Sequence, residues 1–103
     1  MILGDRFGGS CQRWVVEAAT ELLSAQGFTV ARNALFAGGY ITQTYGRPAQ
    51  GVHALQIEID RGLYLDEARI ERLPGFGEIA ARIGGLVAGL AALGPRRLPV
   101  AAE

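Results

Sequence analysis

The first 32 residues carry the pattern that most constrains the fold. Residues 1–3 form a short apolar run, followed by a glycine-rich turn over residues 4–9. Ser10 is predicted to cap a helix whose apolar side chains recur at helical spacing as far as Gly27, which ends it in a left-handed conformation. Residues 28–32 form a second run typical of a strand. The order strand, turn, helix and strand predicts a βαβ unit with two parallel strands.

The rest of the chain is predicted to hold a loop, a strand and two helices. Residues 33–50 have little periodicity and are predicted to be a long loop with a short strand at 40–42. Residues 54–60 alternate between apolar and polar side chains and form the clearest strand. Asp66 is predicted to cap a helix over 67–73, and a last helix spans 76–93 before a frayed tail at 95–103. We therefore expect an α/β fold with a small, mostly parallel sheet flanked by helices.

Composition limits the size of the core and the choice of partners. The 103 residues suffice for one small domain, and half of them are apolar, so the chain is either well packed or exposes a face for a partner. Ten acidic and ten basic residues cancel, which favours neither nucleic acid nor an anionic membrane. The uncharged run at 83–94 is too short to span a bilayer, and no secretory signal precedes Asp5. A single cysteine is typical of a cytoplasmic protein.

Two segments hold the candidate site residues. In the strand over 54–60, Gln56 and Glu58 project to one face, which either lines a site or is the wet face of an edge strand. In the loop, Gly38 and Gly39 would allow backbone N–H groups to approach an anionic substrate.

These segments resemble a known family. The run Gly38-Gly39-Tyr40-Ile41-Thr42, the strand Leu55-Gln56-Ile57-Glu58-Ile59 and the turn Gly4-Asp5-Arg6-Phe7-Gly8 closely resemble the C-terminal part of N-formylglutamate amidohydrolases. That family consists of zinc hydrolases whose fold is similar to that of zinc carboxypeptidases. The specific match covers residues 3–9 and 33–67, so residues 1–103 are either a single domain or a C-terminal fragment of a larger amidohydrolase domain.

The resemblance implies roles for particular residues. Glu58 would be the general base that activates water. Substrate would be bound by the loop, by Gln56 and by two arginines that clamp its carboxylates: Gly38, Gly39, Tyr40, Thr42, Arg47, Gln56 and Arg61. Surface solvation or a salt bridge is the alternative for both arginines, Arg61 standing beside Asp60. The chain departs from the family at Gln43-Thr44, where Arg-His is usual and the arginine is expected to hold a substrate carboxylate.

No metal site is expected in this chain. It has one histidine, His53, and one cysteine, Cys11, whereas a catalytic zinc needs three protein ligands. The resemblance implies a zinc ion in the complete enzyme, bound by residues upstream. Cys11 follows a glycine turn at a helix N-terminus, where a thiolate would be stabilised, although such cysteines are more often simply buried.

The sequence is compatible with two functions. The first is a segment of a zinc-dependent N-formylglutamate amidohydrolase, inactive alone, which would act on a small anionic amide when completed. The second is a non-catalytic α/β module for binding or dimerisation. In either case we expect a homodimer or a partner chain to cover the missing half. The Gly85 and Gly89 spacing allows close helix packing, onto this chain or onto another copy.

Overall fold

A computed structural model describes residues 1–34 and 36–94. The predicted frayed tail at 95–103 lies outside the described residues. The strands and helices are β1 Ile2–Gly4, α1 Arg13–Ala25, β2 Ala31–Arg32, α2 Tyr40–Tyr45, β3 Gln56–Glu58, β4 Leu65–Asp66, β5 Glu71–Arg72 and α3 Phe76–Ala91, with short 3-10 turns at Pro48–Gln50 and Arg61–Leu63.

The α/β class and the βαβ unit are confirmed, but the sheet is mixed rather than mostly parallel. Its strand order is β2-β1-β3, with β2 parallel to β1 and Ile2 opposite Ala31. β3 runs antiparallel to β1, with Ile2 opposite Glu58. The alternation in residues 54–60 specifies which side chains share a face, but it does not specify the direction of the strand. The strand direction was therefore not predictable from that pattern.

The core lies between the sheet and helices α1 and α3. Its fully covered side chains come from all three elements and from the first turn: Leu3, Cys11, Val16, Ala19, Leu23 and Leu86. A Cβ on Gly89 would lie 2.9 Å from the Leu22 side chain, and one on Gly85 would lie 2.7 Å from Gln26 Nε2. The two glycines therefore let α3 pack closely onto α1 within this chain.

The N-terminus of α1 begins later than predicted. Gln12, not Ser10, occupies the cap position, with extended backbone angles and no side-chain cap. Ser10 is buried instead, and its hydroxyl donates to the Ala54 carbonyl at 2.8 Å, while the Ala54 N–H donates to the Ser10 carbonyl. A Cβ on Gly46 would lie 2.7 Å from Ser10 Cα, so this junction is tightly packed. At the other end, Gly27 has a φ of 87° and ends the helix as predicted.

The predicted short strand at 40–42 was wrong, because these residues begin helix α2. The Gln43 N–H donates to the Gly39 carbonyl at 3.1 Å, and the Gly46 N–H donates to the Thr42 carbonyl at 3.2 Å. The β-branched residues Ile41 and Thr42 favour a strand only weakly, and tertiary contacts override that preference here.

The predicted helix at 67–73 was also wrong. Asp66 Oδ1 accepts from the Ala68 and Arg69 N–H groups, which forms a tight turn rather than a helix cap. Ile70 has a φ of 55°, a conformation that no helix contains. The chain then returns as β5, antiparallel to β4.

No helix within residues 1–34 and 36–94 is long and apolar enough to cross a membrane.

Candidate active-site segment

Strand β3 places Gln56 and Glu58 on the same face. Gln56 Nε2 donates a hydrogen bond of 2.8 Å to Glu58 Oε1, and both residues are half-buried. The side chains of alternate strand residues point the same way, so this contact confirms the placement predicted from the alternation. The Glu58 carboxylate is therefore oriented by a neighbouring amide and retains further oxygen lone pairs for another group.

Glu58 also borders a cleft. The cleft has a volume of about 370 Å³ and is lined by Glu58 together with Met1, Ile2, Phe36, Ile59 and Asp60. An ionisable carboxylate beside apolar walls is the arrangement in which a base can act on a bound small molecule.

The segment that holds Gly38 and Gly39, called the glycine loop below, lies against this strand. Gly38 has a φ of 127°, and a Cβ there would collide with Thr42 Oγ1. Thr42 is buried, and its hydroxyl donates to the Gly39 carbonyl at 2.8 Å. A Cβ on Gly39 would lie 3.5 Å from Gln56 Oε1, so the loop and the Gln56 amide are neighbours. Of the residues predicted to bind substrate, the structure thus brings Gly38, Gly39, Thr42 and Gln56 together.

A second cavity adjoins the loop. It has a volume of about 460 Å³ and is lined by residues of α2 and of the chain leading into β3: Ile41, Thr42, Tyr45, His53, Ala54, Leu55 and Gln56. Tyr40 does not line it and is 74% exposed.

The loop is anchored by a pair of side chains that the sequence reasoning missed. Asn33 Nδ2 donates to Asp5 Oδ1 at 2.8 Å, and the Asp5 N–H donates to Asn33 Oδ1 at 3.1 Å. Asp5 is buried, and Asn33 has a φ of 51°, in the left-handed region that asparagine tolerates better than most residues. The one available signal was an asparagine placed directly after the second strand.

The turn after β1 contacts the glycine loop at Ala37, directly before Gly38. The Arg6 N–H donates to the Ala37 carbonyl at 2.7 Å. A Cβ on Gly4 would lie 2.7 Å from the Ala37 carbonyl carbon, so β1 and the loop touch through their backbones. The loop position is therefore set by Gly4, Asp5 and Arg6.

The two arginines predicted to clamp substrate have partners elsewhere. The Arg47 guanidinium donates to the Gly46 carbonyl at 2.9 Å. Arg61 forms an exposed ion pair of 3.2 Å with Glu67, which is the alternative considered for it. Neither forms a hydrogen bond or ion pair with Gln56 or Glu58 within the part of the chain described, and their role in binding substrate stays a prediction.

His53 and Cys11 serve the structure around α1. His53 Nδ1 accepts from the Gln12 N–H at 3.1 Å, and its ring meets Trp14 edge-on at 5.7 Å. Cys11 is fully buried; burial, and secondarily the negative charge of Asp5, raise the pKa of its thiol to about 11. The thiolate stabilisation expected near the helix N-terminus is therefore outweighed by desolvation. Among residues 1–34 and 36–94, no cluster of three potential metal ligands is present.

These features together define an α/β segment in which a paired glutamate and glutamine lie beside a glycine loop. Residues 1–65 match the sequence profile of the N-formylglutamate amidohydrolase family, and the chain belongs to that family.

Individual relatives agree with this assignment. The chain is 40% identical over 67 residues to N-formylglutamate deformylase from Pseudomonas aeruginosa, and 36% identical over 66 residues to that from Pseudomonas putida. Each match covers 63% of this chain and 25% of the relative. The fold superimposes with a TM-score of 0.75 on the crystal structure of N-formylglutamate amidohydrolase from Ralstonia eutropha JMP134, at 37% identity, covering 87% of this chain and 31% of that one. The chain thus spans about a quarter of the length of the curated relatives it matches.

Proposed function

We propose that this chain supplies the base-bearing strand and the substrate loop of an N-formylglutamate amidohydrolase. The observation that carries the proposal is the position of Gln56, which donates a hydrogen bond to Glu58 and lies beside Gly39, where a Cβ would be 3.5 Å from Gln56 Oε1. Gln56 therefore connects the proposed base, Glu58, to a loop whose backbone N–H groups an anionic substrate could approach. Family membership supports the substrate, N-formyl-L-glutamate, since both curated relatives are N-formylglutamate deformylases.

Glu58 would act first as a base and then as an acid. It takes a proton from the attacking water while the water oxygen bonds to the formyl carbon. The carbon–nitrogen bond then breaks, and the same proton passes from Glu58 to the leaving nitrogen. The products are formate and glutamate. Gln56 would hold the carboxylate in place through its amide, while the glycine loop binds the substrate.

The zinc ion implied by the family does not fit the residues of this segment. His53 uses Nδ1 to accept from Gln12, Cys11 is buried with a protonated thiol, and no three-ligand cluster is found among the described residues. We propose that zinc in the complete enzyme is held by residues outside this chain, and that the chain alone does not turn over substrate.

We further propose a cytoplasmic location, supported by the single unpaired cysteine, which is buried.

A chimera tests the proposed function. This chain would replace the matching quarter of the Pseudomonas aeruginosa deformylase, and zinc content would report correct assembly. We expect turnover of N-formyl-L-glutamate, with kcat reduced about a hundredfold to ten-thousandfold by Glu58→Gln at unchanged zinc content. Glu21→Gln, at an exposed position of α1, is the matched control and should leave kcat unchanged.

Two outcomes would refute the proposal. One is a zinc-loaded, folded chimera without turnover. The other is a Glu58→Gln chimera as active as its parent. Either result would favour the non-catalytic binding module.

A further inference from the structure

We propose that Arg6 binds a carboxylate of the substrate at the glycine loop. The inference rests on the proposed function and assigns a specificity-determining residue to it. The carboxylate is either that of the substrate side chain or that of its α-carbon, and the experiment below separates the two.

Arg6 lies directly against the loop. Its N–H donates to the Ala37 carbonyl at 2.7 Å, and its Cγ lies 3.2 Å from the position that a Cβ on Gly38 would occupy. A side chain at position 38 would collide with Thr42 Oγ1 and crowd the Arg6 stem. The absence of a side chain on Gly38 therefore makes room for the stem of the arginine as well as for the turn into α2.

The backbone around Arg6 adopts a rare conformation. Arg6 and Phe7 have φ values of 53° and 55°, and Gly8 follows with a φ of 87°. Left-handed backbone at two consecutive residues other than glycine is strained, and such outliers cluster at ligand-binding sites.

Hydrogen bonds around the turn hold this conformation in place. The Gly9 N–H donates to the Arg6 carbonyl at 3.1 Å, and the Ser10 N–H donates to the Asp5 carbonyl at 3.0 Å. The Asp5–Asn33 pair fixes the preceding residue. These bonds fix the backbone of the turn and therefore the point from which the Arg6 side chain leaves it.

The charge of Arg6 is not neutralised by the described part of the chain. The ion pairs found there involve Arg13, Arg61 and Arg82, and Arg47 bonds to Gly46. The carboxylate nearest in sequence, Asp5, is occupied by Asn33. Helix α2, Tyr40–Tyr45, carries no charged residue. Arg6 is therefore a cation without an ion-pair partner beside the loop within the described residues, and a guanidinium binds a carboxylate bidentately.

Binding by the 103-residue chain can be measured by following the Gly38 and Gly39 amide signals by NMR during titration with N-formyl-L-glutamate. We expect saturable shifts, with the Kd weakened at least about tenfold by Arg6→Gln and partly restored by Arg6→Lys. Arg69→Gln, on the β4–β5 turn, is the matched control and should bind as the parent does. N-formyl-L-glutamine and the α-amide of N-formyl-L-glutamate identify the carboxylate, since Arg6→Gln should abolish the preference over only one of them.

The proposal is overturned if Arg6→Gln binds with the Kd of the parent chain, or if the parent shows no saturable shift at Gly38 and Gly39. This outcome is distinct from failure of the proposed function, because the chimera reports turnover through Glu58 and this titration reports binding through Arg6. A chimera that turns over substrate while Arg6→Gln leaves binding intact would refute the Arg6 assignment alone.

Discussion

Asn33 and Asp5 connect the candidate site to the rest of the molecule at the scale of single residues. Their two reciprocal hydrogen bonds join the end of β2 to the turn after β1, across 28 positions of sequence. A buried carboxylate with a satisfied amide partner is stabilising, whereas the same carboxylate left alone is costly.

Two substitutions of Asn33 separate its backbone from its side-chain contribution. Asn33→Gly keeps the left-handed backbone and loses the hydrogen bonds, so it should lower the free energy of unfolding by about 1–3 kcal/mol. Asn33→Ala also strains the backbone and should cost about 1 kcal/mol more than the glycine variant. Urea unfolding of both variants measures the difference. Equal stability of the two would show that the left-handed φ of 51° carries no strain.

Cys11 makes the free energy of unfolding depend on pH in the alkaline range. Its pKa rises from an ordinary 9.0 to about 11 on folding, so between these values the folded state holds a proton that the unfolded state has lost. Stability is therefore intact below pH 9 and falls as pH approaches 11, by about 2–3 kcal/mol in total. Unfolding free energies measured across this range should fall less steeply for Cys11→Ala than for the parent. Parallel curves for the two proteins would contradict the assignment.

At the scale of elements, the glycines differ in what surrounds them. Gly84 lies inside α3 with open space around it, whereas Gly46 at the end of α2 meets Ser10.

We therefore predict opposite effects for two alanine substitutions. Gly84→Ala should raise the free energy of unfolding by about 0.5–1 kcal/mol, because alanine restricts the unfolded chain and favours helix. Gly46→Ala should lower it by about 1–3 kcal/mol, because a Cβ would lie 2.7 Å from the Ser10 Cα and force two backbone segments apart. Urea denaturation measures both. Destabilisation by Gly84→Ala would mean that this face of α3 is covered.

The elements also show what sequence could predict. The βαβ unit and α3 followed from periodicity and glycine ends, and the shared face of Gln56 and Glu58 followed from alternation. Helix α2 and the β4–β5 hairpin did not, because their residues have weak or contrary intrinsic preferences and are set by contacts with Gly39 and by the Asp66 turn. The Asp5–Asn33 pair and the position of Arg6 depend on distant partners that no local period connects.

At the scale of the whole molecule, the apolar surface exceeds what so small a core covers. The described part buries six apolar residues fully. Several large apolar side chains are more than half exposed, among them Phe7, Phe36, Tyr40, Ile41, Tyr45, Ile70 and Val87. Ile41 and Tyr45 lie along one cavity, and an exposed apolar patch is typically covered by a partner.

We predict that the isolated chain self-associates, with a homodimer as the simplest product. Sedimentation over micromolar concentrations should show a concentration-dependent increase in mass. The double substitution Ile41→Gln and Tyr45→Gln should weaken this association, because both residues line the cavity beside the loop. Ile70→Gln, 82% exposed on the hairpin turn, serves as the control. A monomer at all concentrations would instead support an independent binding module.

The contact between Gly46 and Ser10 affects how evolution in this family should be read. No residue with a side chain fits at position 46, since a Cβ there would lie within 2.8 Å of Ser10 backbone atoms. Purifying selection should therefore keep Gly46 in descendants that have lost all catalytic activity, as long as they still fold. Under the roles proposed for Glu58 and Arg6, substitutions at these two positions would instead accompany the loss of activity. A lineage that had become a structural pseudoenzyme would thus retain Gly46 while its charged residues Glu58 and Arg6 accumulated substitutions.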